Sequence, residues 1–585
     1  MVLSRECPGL RDGATAMIEL LRILRPSPPI ETESPNNLPV NSILFESADP
    51  SSRHGGKSIL IPDPLFMIRG KENAFEAVEL QPKRSAPWKP LLREAWKNLS
   101  LEESPDGSFF SGKIPALTDF NSLEFDETER LKHHPCLAPL ELLMASSNLA
   151  KKVAIAPTVG LYGMISYDLV SRFEELPPPN SDPWNEWDFQ FWLSDHLITI
   201  DHLKNTAWIT VSAPHEEFSS EAVGNQVSLF NQLSQDLNSL EQTWKIAVEA
   251  GKKFENKPTL EPERLNTNST GLQTFHPRKI VEELSNHGMT ICDELPAPSY
   301  EALVSDLKEK IKDGVVFQIV PSRANTIFPI KIPWKIYFEL RKLNPSPYMF
   351  FIRDDRGCLL GASPETFLRI ERVKSSNSDS KSWNVITCPI AGTRPRGLTP
   401  DGKVDEERDL RYEFELKSDV KELAEHSMLI DLARNDIAKV SIPGSRRVEK
   451  PAIVEKFSHV QHLVSWVKGE LNFSEYGPFQ AYLAVANAGT LTGAPKISAM
   501  KLLRECEVSA RGYYGGSVGY FGFDGTCDLA IVIRSLRVID ELGVARSGAG
   551  IVADSIPPAE FDETERKLDS IRVALLLALK KNAQE

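Results

Sequence analysis

Residues 388–397 read CPIAGTRPRG, and residues 421–436 read KELAEHSMLIDLARND. The first segment is a short apolar run followed by glycine, threonine and two arginines around a proline. That pattern predicts a strand running into a turn. In the second segment, apolar residues recur with the spacing of one helix face, at positions 420, 423, 424, 428, 429 and 432. The stretch therefore predicts a strand, a loop and a helix.

Two features of this stretch are typical of a binding site. The Gly392-Thr393 pair offers backbone N–H groups to an anion. Glu422 and Glu425 lie three residues apart, so their carboxylates are neighbours on the helix surface and offer hard oxygens to a divalent cation. The same spacing is also typical of a charged surface helix without a site. From spacing alone, we favour this simpler interpretation.

Composition narrows the class of protein. The 585 residues are enough for two or more domains, and 41% hydrophobic with 25% charged residues is typical of a soluble globular chain. The net charge of −14 argues against a nucleic-acid binder or a protein of anionic membranes. A local cluster of arginines can still bind a small anionic substrate.

Seven scattered cysteines form no CxxC pair, which fits a reducing cytoplasm and predicts neither disulfides nor a zinc site. No apolar run is long enough to cross a membrane. The N-terminus lacks the apolar core of a secretory signal, although a transit segment within residues 1–25 stays open. We therefore expect a cytoplasmic protein.

Changes in amino-acid composition along the chain predict its domains. Residues 1–40 form an N-terminal extension with a Pro-rich linker. Residues 41–255 form a mostly β domain that ends in a helix. Residues 256–295 form a polar linker, and residues 296–585 form a second domain in which the remaining candidate site residues lie.

Several polar residues of the second domain stand where a site residue can stand. Glu365 follows a strand and a Gly-Ala-Ser-Pro turn, where burial would raise its pKa and make it an acid; a surface glutamate is an equal alternative. Gln318 lies in an apolar strand, which favours a hydrogen-bonded core residue. His459 and His462 would point to opposite faces of a strand, so at most one faces a site.

Three glycine- or arginine-containing segments complete the candidates. Residues 488–496, AGTLTGAPK, lack the spacing of a phosphate loop but can present amides to an anion. Arg534 ends a buried strand and needs an anion there, from the protein or from a substrate. Gly548–Gly550 allow close approach of backbone to a ligand. The acids at 560–563 can simply complement a helix dipole.

Taken together, these segments resemble one family. The motifs appear in that family's order: PSPYMFF (345–351), GASPE (361–365), PIAGTRPRG (389–397), EHSMLIDLARND (425–436), SHVQHLVS (458–465), AGTLTGAPK (488–496), YGGSVGY (514–520), IVIRS (531–535) and GAGIVADS (548–555). The chain is similar to anthranilate synthase component I among the chorismate-utilising enzymes, strongly over 299–580 and weakly over 40–255. The resemblance implies an α+β fold: a large antiparallel β-sandwich with helices packed outside and the catalytic cleft between the sheets.

The resemblance also implies a lyase reaction in tryptophan biosynthesis. Ammonia adds to C2 of chorismate, the C4 hydroxyl leaves, and pyruvate is eliminated to give anthranilate. The implied catalytic residues are Glu365 as acid, His462 in the elimination, and Thr490. The implied Mg²⁺ ligands are Glu425 and Glu563. The residues implied to bind chorismate are Gly392, Thr393, Tyr514, Arg534, Gly548, Ala549 and Gly550.

Two positions separate relatives within the family. Relatives that add water carry lysine where this chain has Gln318, which favours ammonia as the nucleophile. Aminodeoxychorismate synthases carry a nucleophilic lysine where this chain has Ala391. An aminodeoxychorismate or aminodeoxyisochorismate synthase is nevertheless the nearest alternative, and a non-catalytic paralogue that senses tryptophan or binds a partner is an alternative of another class. A metal-dependent hydrolase is a third alternative, but this sequence lacks the His-rich ligand cluster that such an enzyme would need.

Regulation and a partner are implied as well. The LFES motif at 44–47 resembles the family's tryptophan-binding motif, with Ser47, Pro347, Tyr348 and Met349 as inhibitor-binding residues. LFES in place of LLES, Val315-Val316 and Ala486-Asn487 depart from the usual pattern. The chain has no glutaminase nucleophile motif, so we expect a separate glutamine amidotransferase subunit, anthranilate synthase component II, to supply ammonia.

Overall fold

The computed structural model describes residues 2–8, 17, 20, 40–47, 56–115, 131–132, 134–146, 159–214, 220–255, 277–373, 382–399, 403–457 and 460–582. The predicted Pro-rich linker before residue 40 and much of the predicted 256–295 linker lie outside these ranges. Within them, residues 277–295 contain a helix and a strand. No helix in the described ranges has the length and apolar character that crossing a membrane requires.

The strands are short and numerous, as alternating apolar patterns and frequent turn residues predict. In chain order they are β1 Val2–Pro8, β2 Ser42–Glu46, β3 Lys57–Ile61, β4 Phe66–Lys71, β5 Ala74–Glu79, β6 Glu102–Glu103, β7 Phe109–Lys113, β8 Gly160–Ile165, β9 Phe189–Ser194, β10 His196–Asp201, β11 Thr206–Ser212, β12 Thr290–Asp293, β13 Gln318–Ile319, β14 Ser322–Phe328, β15 Tyr348–Arg353, β16 Gly357–Ser363, β17 Thr366–Val373, β18 Ser382–Thr387, β19 Ile390–Pro395, β20 Arg447–Lys456, β21 Val460–Glu470, β22 Gly493–Ala494, β23 Ser517–Gly522, β24 Cys527–Ile531, β25 Ser535–Ile539 and β26 Leu542–Gly548.

The α-helices lie mainly in the second half of the chain. They are α1 Pro82–Ser85, α2 Lys89–Trp96, α3 Ala138–Ser146, α4 Ser220–Glu255, α5 Pro277–Asn286, α6 Ala297–Lys312, α7 Pro333–Leu343, α8 Glu406–Ser418, α9 Val420–Ala438, α10 Pro478–Val485, α11 Gly489–Thr492, α12 Lys496–Cys506 and α13 Pro557–Asn582. Helix α9 confirms the periodicity of its sequence. It begins at Val420, and the side chain of Asp419 caps it by accepting a hydrogen bond from the Glu422 backbone N–H at 3.1 Å.

Two large sheets contain most of the strands. The spatial order of the first is β1-β11-β10-β3-β2-β15-β16-β25-β26-β14-β12, and that of the second is β19-β21-β18-β17-β24-β23-β8-β9-β4-β5-β7-β6, with β20 paired to β21. Neighbouring strands run antiparallel, including β2 with β15 and β23 with β8, where strands from the two halves of the chain meet.

The sheets face each other across one core, and helices cover the far side of the first sheet. Ile43 and Phe350 of the first sheet join Leu161 and Phe191 of the second in the inter-sheet core. Leu44 and Phe351 alternate to the opposite face. There they join a second core with residues of α4, α7 and α13, such as Trp244, Tyr337 and Leu575. This arrangement confirms the expected α+β fold, an antiparallel sandwich with helices outside.

The domain limits at residues 40, 255 and 295 stay predictions. Both sheets contain strands from each side of the 256–295 segment, because β2 pairs with β15 and β8 pairs with β23. Strand β1 also belongs to the first sheet through its pairing with β11, so part of the predicted N-terminal extension, residues 2–8, is a sheet edge.

Candidate active site

The candidate site lies where the chain passes from one sheet to the other. Glu365 stands in the crossing from β16 in the first sheet to β17 in the second. Arg534 stands in the crossing back, between β24 and β25. Gly548 ends β26, two strands from β16 in the first sheet. Crossings of this kind bring residues that are far apart in the chain to one edge of the sandwich.

Glu365 is a buried carboxyl group with few polar neighbours. It is 5% exposed, and its Oε1 accepts a hydrogen bond from Thr490 Oγ1 at 3.0 Å. Apolar side chains such as Phe367, Leu429 and Ile531 line the cavity behind it. Burial raises the pKa of Glu365 to about 8, although the hydrogen bonds from Thr490 and the Ile390 backbone N–H oppose the shift. The group is therefore protonated at neutral pH, as an acid must be.

His462 is held in one orientation by the strand beside it. Its Nδ1 lies 2.9 Å from the Gly392 carbonyl oxygen and 3.1 Å from Thr393 Oγ1, so Nδ1 carries a proton that it donates to the carbonyl. Nε2 is then unprotonated, and it has no hydrogen-bond partner among the described residues. Burial, together with the charge of Arg534, lowers the pKa of His462 to about 4. The imidazole is therefore neutral and can accept a proton at Nε2.

Gly392 shows that the predicted turn after Ile390 is wrong. The Gly-Thr pair lies inside β19, which runs from Ile390 to Pro395 and changes register against β21 between Ala391 and Thr393. Gly392 has a φ of +64°, and a Cβ there would stand 2.8 Å from Leu416 Cδ1. A bulge at this glycine, and not a turn, aims its carbonyl at His462. A glycine bulge and a glycine turn leave the same signal in the sequence.

Arg534 is a cation without an acid. Burial lowers the pKa of its guanidinium, and no carboxylate among the described residues raises it again. The residue has a φ of +48°, so its backbone is held in the left-handed region that L residues rarely adopt. A buried arginine without a partner is costly unless an anion binds to it. Its charge acts on His462, which places the two groups in one site.

The glycine segment forms another wall of the site. Tyr514 is buried and hydrogen-bonds with the backbone of Gly548, and burial raises its pKa to about 12. A Cβ at Gly548 would stand 2.8 Å from the Pro321 carbonyl oxygen, so this position is tightly packed. Gly550 approaches Gln318, whose buried Oε1 has no partner among the described residues. The hydrogen bond that was predicted for this core glutamine is therefore absent at Oε1 among the described residues.

A cluster of acids joins the two helices that were expected to hold a metal. Glu425 of α9 has its pKa raised to about 7 by burial and by the charges of Glu422, Glu560 and Glu563. Glu560 and Glu563 lie in the first turns of α13. In the described residues, no group of three or more His, Cys, Asp or Glu side chains is arranged to hold a metal without other ligands. Two carboxylates completed by substrate and water suit Mg²⁺.

Lys567 is the site residue that the sequence did not reveal. Its Nζ donates to the Gly548 carbonyl oxygen at 2.8 Å and lies 2.7 Å from Glu563 Oε1. Its charge also lowers the pKa values of Glu365 and His462. The only sequence signal is its i+4 spacing from Glu563, which many surface helices share.

The predicted inhibitor residues lie on adjacent strands. Met349 of β15 pairs with Glu46 of β2, so Ser47 and Tyr348 are the next residues along the two strands. Ser47 Oγ is buried and has no hydrogen-bond partner among the described residues. The structure thus brings Ser47, Tyr348 and Met349 together, with Pro347 preceding them.

Comparison with known proteins agrees with this architecture. Residues 102–573 match the family model described as chorismate binding enzyme. The chain is 35% identical to "Anthranilate synthase component 1" of Escherichia coli (strain K12) over 575 residues, 98% of this chain and 96% of that protein. It is also 35% identical to the protein of the same name in Vibrio parahaemolyticus, over 95% of this chain and 93% of that protein.

Solved structures show the same relationship. The crystal structure of anthranilate synthase component I from Streptococcus pneumoniae superposes with a TM-score of 0.59 at 25% identity, covering 94% of this chain and 96% of that one. A menaquinone-specific isochorismate synthase of Escherichia coli shares the fold, with a TM-score of 0.53 at 14% identity over 98% of this chain and 95% of that one. The chain belongs to the chorismate-binding enzyme family, in its anthranilate synthase component 1 branch.

Proposed function

We propose that the chain converts chorismate and ammonia to anthranilate, pyruvate and water. The observation that carries the proposal is Arg534, a half-buried residue whose guanidinium has no acid partner in the described residues and whose charge acts on the neutral His462. Chorismate is a dicarboxylate, so one of its carboxylates gives Arg534 the anion that its burial requires. Tyr514 and the backbone amides of Gly548–Gly550 are proposed to bind the same substrate, which the hydrogen bond between Tyr514 and the backbone of Gly548 supports.

Glu365 serves as the acid of the first half-reaction. Ammonia forms a bond to C2, the ring double bonds shift, and the C4–O bond breaks. The proton of Glu365 moves to the departing oxygen, which leaves as water. The high pKa of Glu365 supports this role, because the group is still protonated at neutral pH. Thr490 holds the carboxyl group in place by its hydrogen bond.

His462 serves in the second half-reaction. Loss of the proton at C2 and cleavage of the bond to the enolpyruvyl oxygen release pyruvate and give an aromatic ring. Nε2 of His462 is an unprotonated nitrogen without a partner in the part of the chain that the structure describes, and the Gly392 carbonyl fixes the tautomer that leaves it unprotonated. Its low pKa keeps it neutral and able to accept a proton throughout the physiological range.

Glu425 and Glu563 are the proposed Mg²⁺ ligands. Burial, together with repulsion from Glu560 and Glu563, raises the pKa of Glu425 and supports a cation between the two helices, and carboxylate oxygens are the ligands that this ion prefers. When bound, the ion would neutralise the ring carboxylate of chorismate and orient it. Lys567 balances part of the remaining negative charge through Glu563.

Ammonia as nucleophile is supported by two residues. Gln318, which is not a proton-abstracting base, faces Gly550 in the proposed substrate site. Ala391 presents a methyl group, which excludes covalent attack on the substrate from that position. A separate glutamine amidotransferase would supply the ammonia. The free, scattered cysteines in the described residues support a cytoplasmic enzyme.

Tryptophan is the proposed feedback inhibitor. The buried Ser47 Oγ beside Tyr348 has no partner among the described residues, which supports a polar ligand at this position, and an amino acid can donate the missing hydrogen bond. The site lies on β2 and β15 and is separate from the acid at Glu365.

The test is a fluorescence assay for anthranilate with purified protein, chorismate, Mg²⁺ and an ammonium salt. We expect product in the absence of any other protein, loss of product on adding EDTA, and inhibition by tryptophan. Mass spectrometry of the product separates the alternatives. Aminodeoxychorismate, or aminodeoxyisochorismate without anthranilate, would contradict the proposal, and so would tryptophan binding without turnover.

A further inference from the structure

Hydrogen bonds join the Tyr348 hydroxyl to three described residues, Asp528, Arg369 and Thr366. It donates to Asp528 Oδ1 at 2.9 Å and accepts from a terminal nitrogen of Arg369 at 2.8 Å. Thr366 Oγ1 lies 2.9 Å from the same oxygen. Because the phenolic proton is already donated to Asp528, the Thr366 hydroxyl is the donor of the third bond. All three partners lie in the second sheet, whereas Tyr348 begins β15 of the first sheet.

This network reaches Glu365 from two directions. Thr366 directly follows Glu365 in the chain, so it fixes the backbone that carries the acid. The Thr366 hydroxyl is also hydrogen-bonded to Cys388, two residues before Ile390. The Ile390 backbone N–H donates to the Glu365 carboxyl group. The backbone of Glu365 and one donor to its carboxyl group are therefore both attached to the Tyr348 network.

The other end of the network lies in the proposed inhibitor site. Tyr348 is half-buried on the strand that pairs with β2, next to Ser47, whose Oγ has no hydrogen-bond partner within the described ranges. A ligand that binds beside Ser47 contacts Tyr348 and competes for its position. The hydroxyl is fully occupied by its present partners, so a shift of the ring must break at least one hydrogen bond to the second sheet.

We propose that Tyr348, through its hydrogen bond to Thr366, is a positioning residue for Glu365, and that a ligand at the Ser47–Tyr348 site inhibits by breaking this link. The inference rests on the proposed function, since it assigns the path between the proposed inhibitor site and the proposed acid. Tyr348 acts without touching chorismate.

The experiment uses Tyr348→Phe and Thr366→Val, each of which removes one hydroxyl with little change of shape. Tyr476→Phe is the control, because this tyrosine is buried under Lys132 and takes no part in the network described here. With ammonia as nucleophile, we expect kcat to fall about tenfold or more in both network variants, because small misplacements of an acid are costly. Tyr476→Phe should match the wild type.

Two readouts distinguish positioning from a general loss of structure. Loosening of Glu365 admits water and lowers its pKa, so the alkaline limb of the kcat–pH profile should move to lower pH in both network variants. Tryptophan affinity should be measured by calorimetry with and without chorismate in ammonium-free buffer. We expect the ratio of the two dissociation constants, about tenfold in the wild type for typical coupling, to approach one in Thr366→Val while tryptophan still binds.

An unchanged alkaline limb in both variants would overturn the positioning role, even if kcat falls. A wild-type ratio preserved in Thr366→Val would overturn the regulatory path. A wild-type protein that makes anthranilate but does not bind tryptophan would overturn the regulatory half, and the pH limb would then decide the positioning half. A wild-type protein that makes no anthranilate would refute the proposed function itself, which is a different result.

Discussion

Lys567 Nζ donates to the Gly548 carbonyl oxygen at 2.8 Å and lies 2.7 Å from Glu563 Oε1, so one ammonium group joins the glycine segment to a proposed metal ligand. Both contacts lie within the first turns of α13 or at the end of β26. The position of the substrate-binding backbone and the charge at the metal ligands therefore depend on the same side chain.

Replacing Lys567 should weaken the binding of chorismate and Mg²⁺ and also change the pKa of Glu365. In Lys567→Met we expect the KM for chorismate and the Mg²⁺ requirement to rise about tenfold or more, as for loss of a charged hydrogen bond. Lys567 also lowers the pKa of Glu365, so its removal should raise that pKa above about 8 and move the alkaline limb of kcat to higher pH. Lys580→Met, on the same helix and paired with Glu283, is the matched control.

The acid role of Glu365 has a defined pH dependence. Its pKa of about 8 means that the active, protonated form is present at neutral pH and is lost as the pH rises through 8. After correction for the fraction of free ammonia, kcat should be flat near neutrality and fall above that pH. Glu365→Gln should lose about 10²–10⁴-fold in kcat.

Thr490 offers a second test of the same group. Its hydroxyl stabilises the ionised carboxylate, so Thr490→Val should raise the pKa of Glu365 and shift the alkaline limb upward. A downward shift, or a limb that persists unchanged in Glu365→Gln, would show that another group controls the profile.

His462 should matter most after the amine has been added. In His462→Ala we expect the amino intermediate to accumulate, with anthranilate formation about 10²-fold slower or more, because the proton acceptor of the elimination is missing. Liquid chromatography with mass detection measures both species. Equal loss of both products would instead indicate a role in binding chorismate.

Arg511, which is buried, and Arg534, which is half-buried, form a pair of arginines that differ in their partners. Arg511 lies 2.7 Å from Glu507 and has both backbone and carboxylate partners, whereas Arg534 has no acid among the described residues. Arg511→Ala should lower the free energy of unfolding by about 3–5 kcal/mol. Arg534→Ala should leave Tm equal or higher and raise the KM for chorismate steeply. A large drop of Tm in Arg534→Ala would mean that its partner is part of the protein.

Replacing either of the two proposed metal ligands should weaken Mg²⁺ binding to a similar extent. Glu425→Gln and Glu563→Gln should each weaken Mg²⁺ binding by about 10-fold or more, measured by titration with Mg²⁺ followed by calorimetry. Asp431→Asn, on the same helix as Glu425 but exposed and paired with Arg434, should bind Mg²⁺ like the wild type. If only one of the two glutamate variants binds Mg²⁺ more weakly, the other glutamate is not a ligand of the ion.

Local patterns predicted several elements and missed others. The apolar spacing after residue 420 predicted α9, and the apolar run before Arg534 predicted β24, because burial of one face or both faces leaves a periodic signal. The run from Val315 to Val320 predicted a longer strand than the two residues of β13. The bulge at Gly392 was missed because glycine is equally common in turns and in bulges.

By itself, the sequence determined the chemical groups of this protein: the order of its motifs, the acids, the histidine and the arginine that a chorismate-utilising enzyme needs. Only the tertiary structure decided which of these groups are buried, which are partnered, and which meet. Glu365, His462 and Arg534 are separated by long stretches of chain and come together only where strands cross between two sheets. Their pKa values follow from that burial and those neighbours, which no local pattern of residues contains.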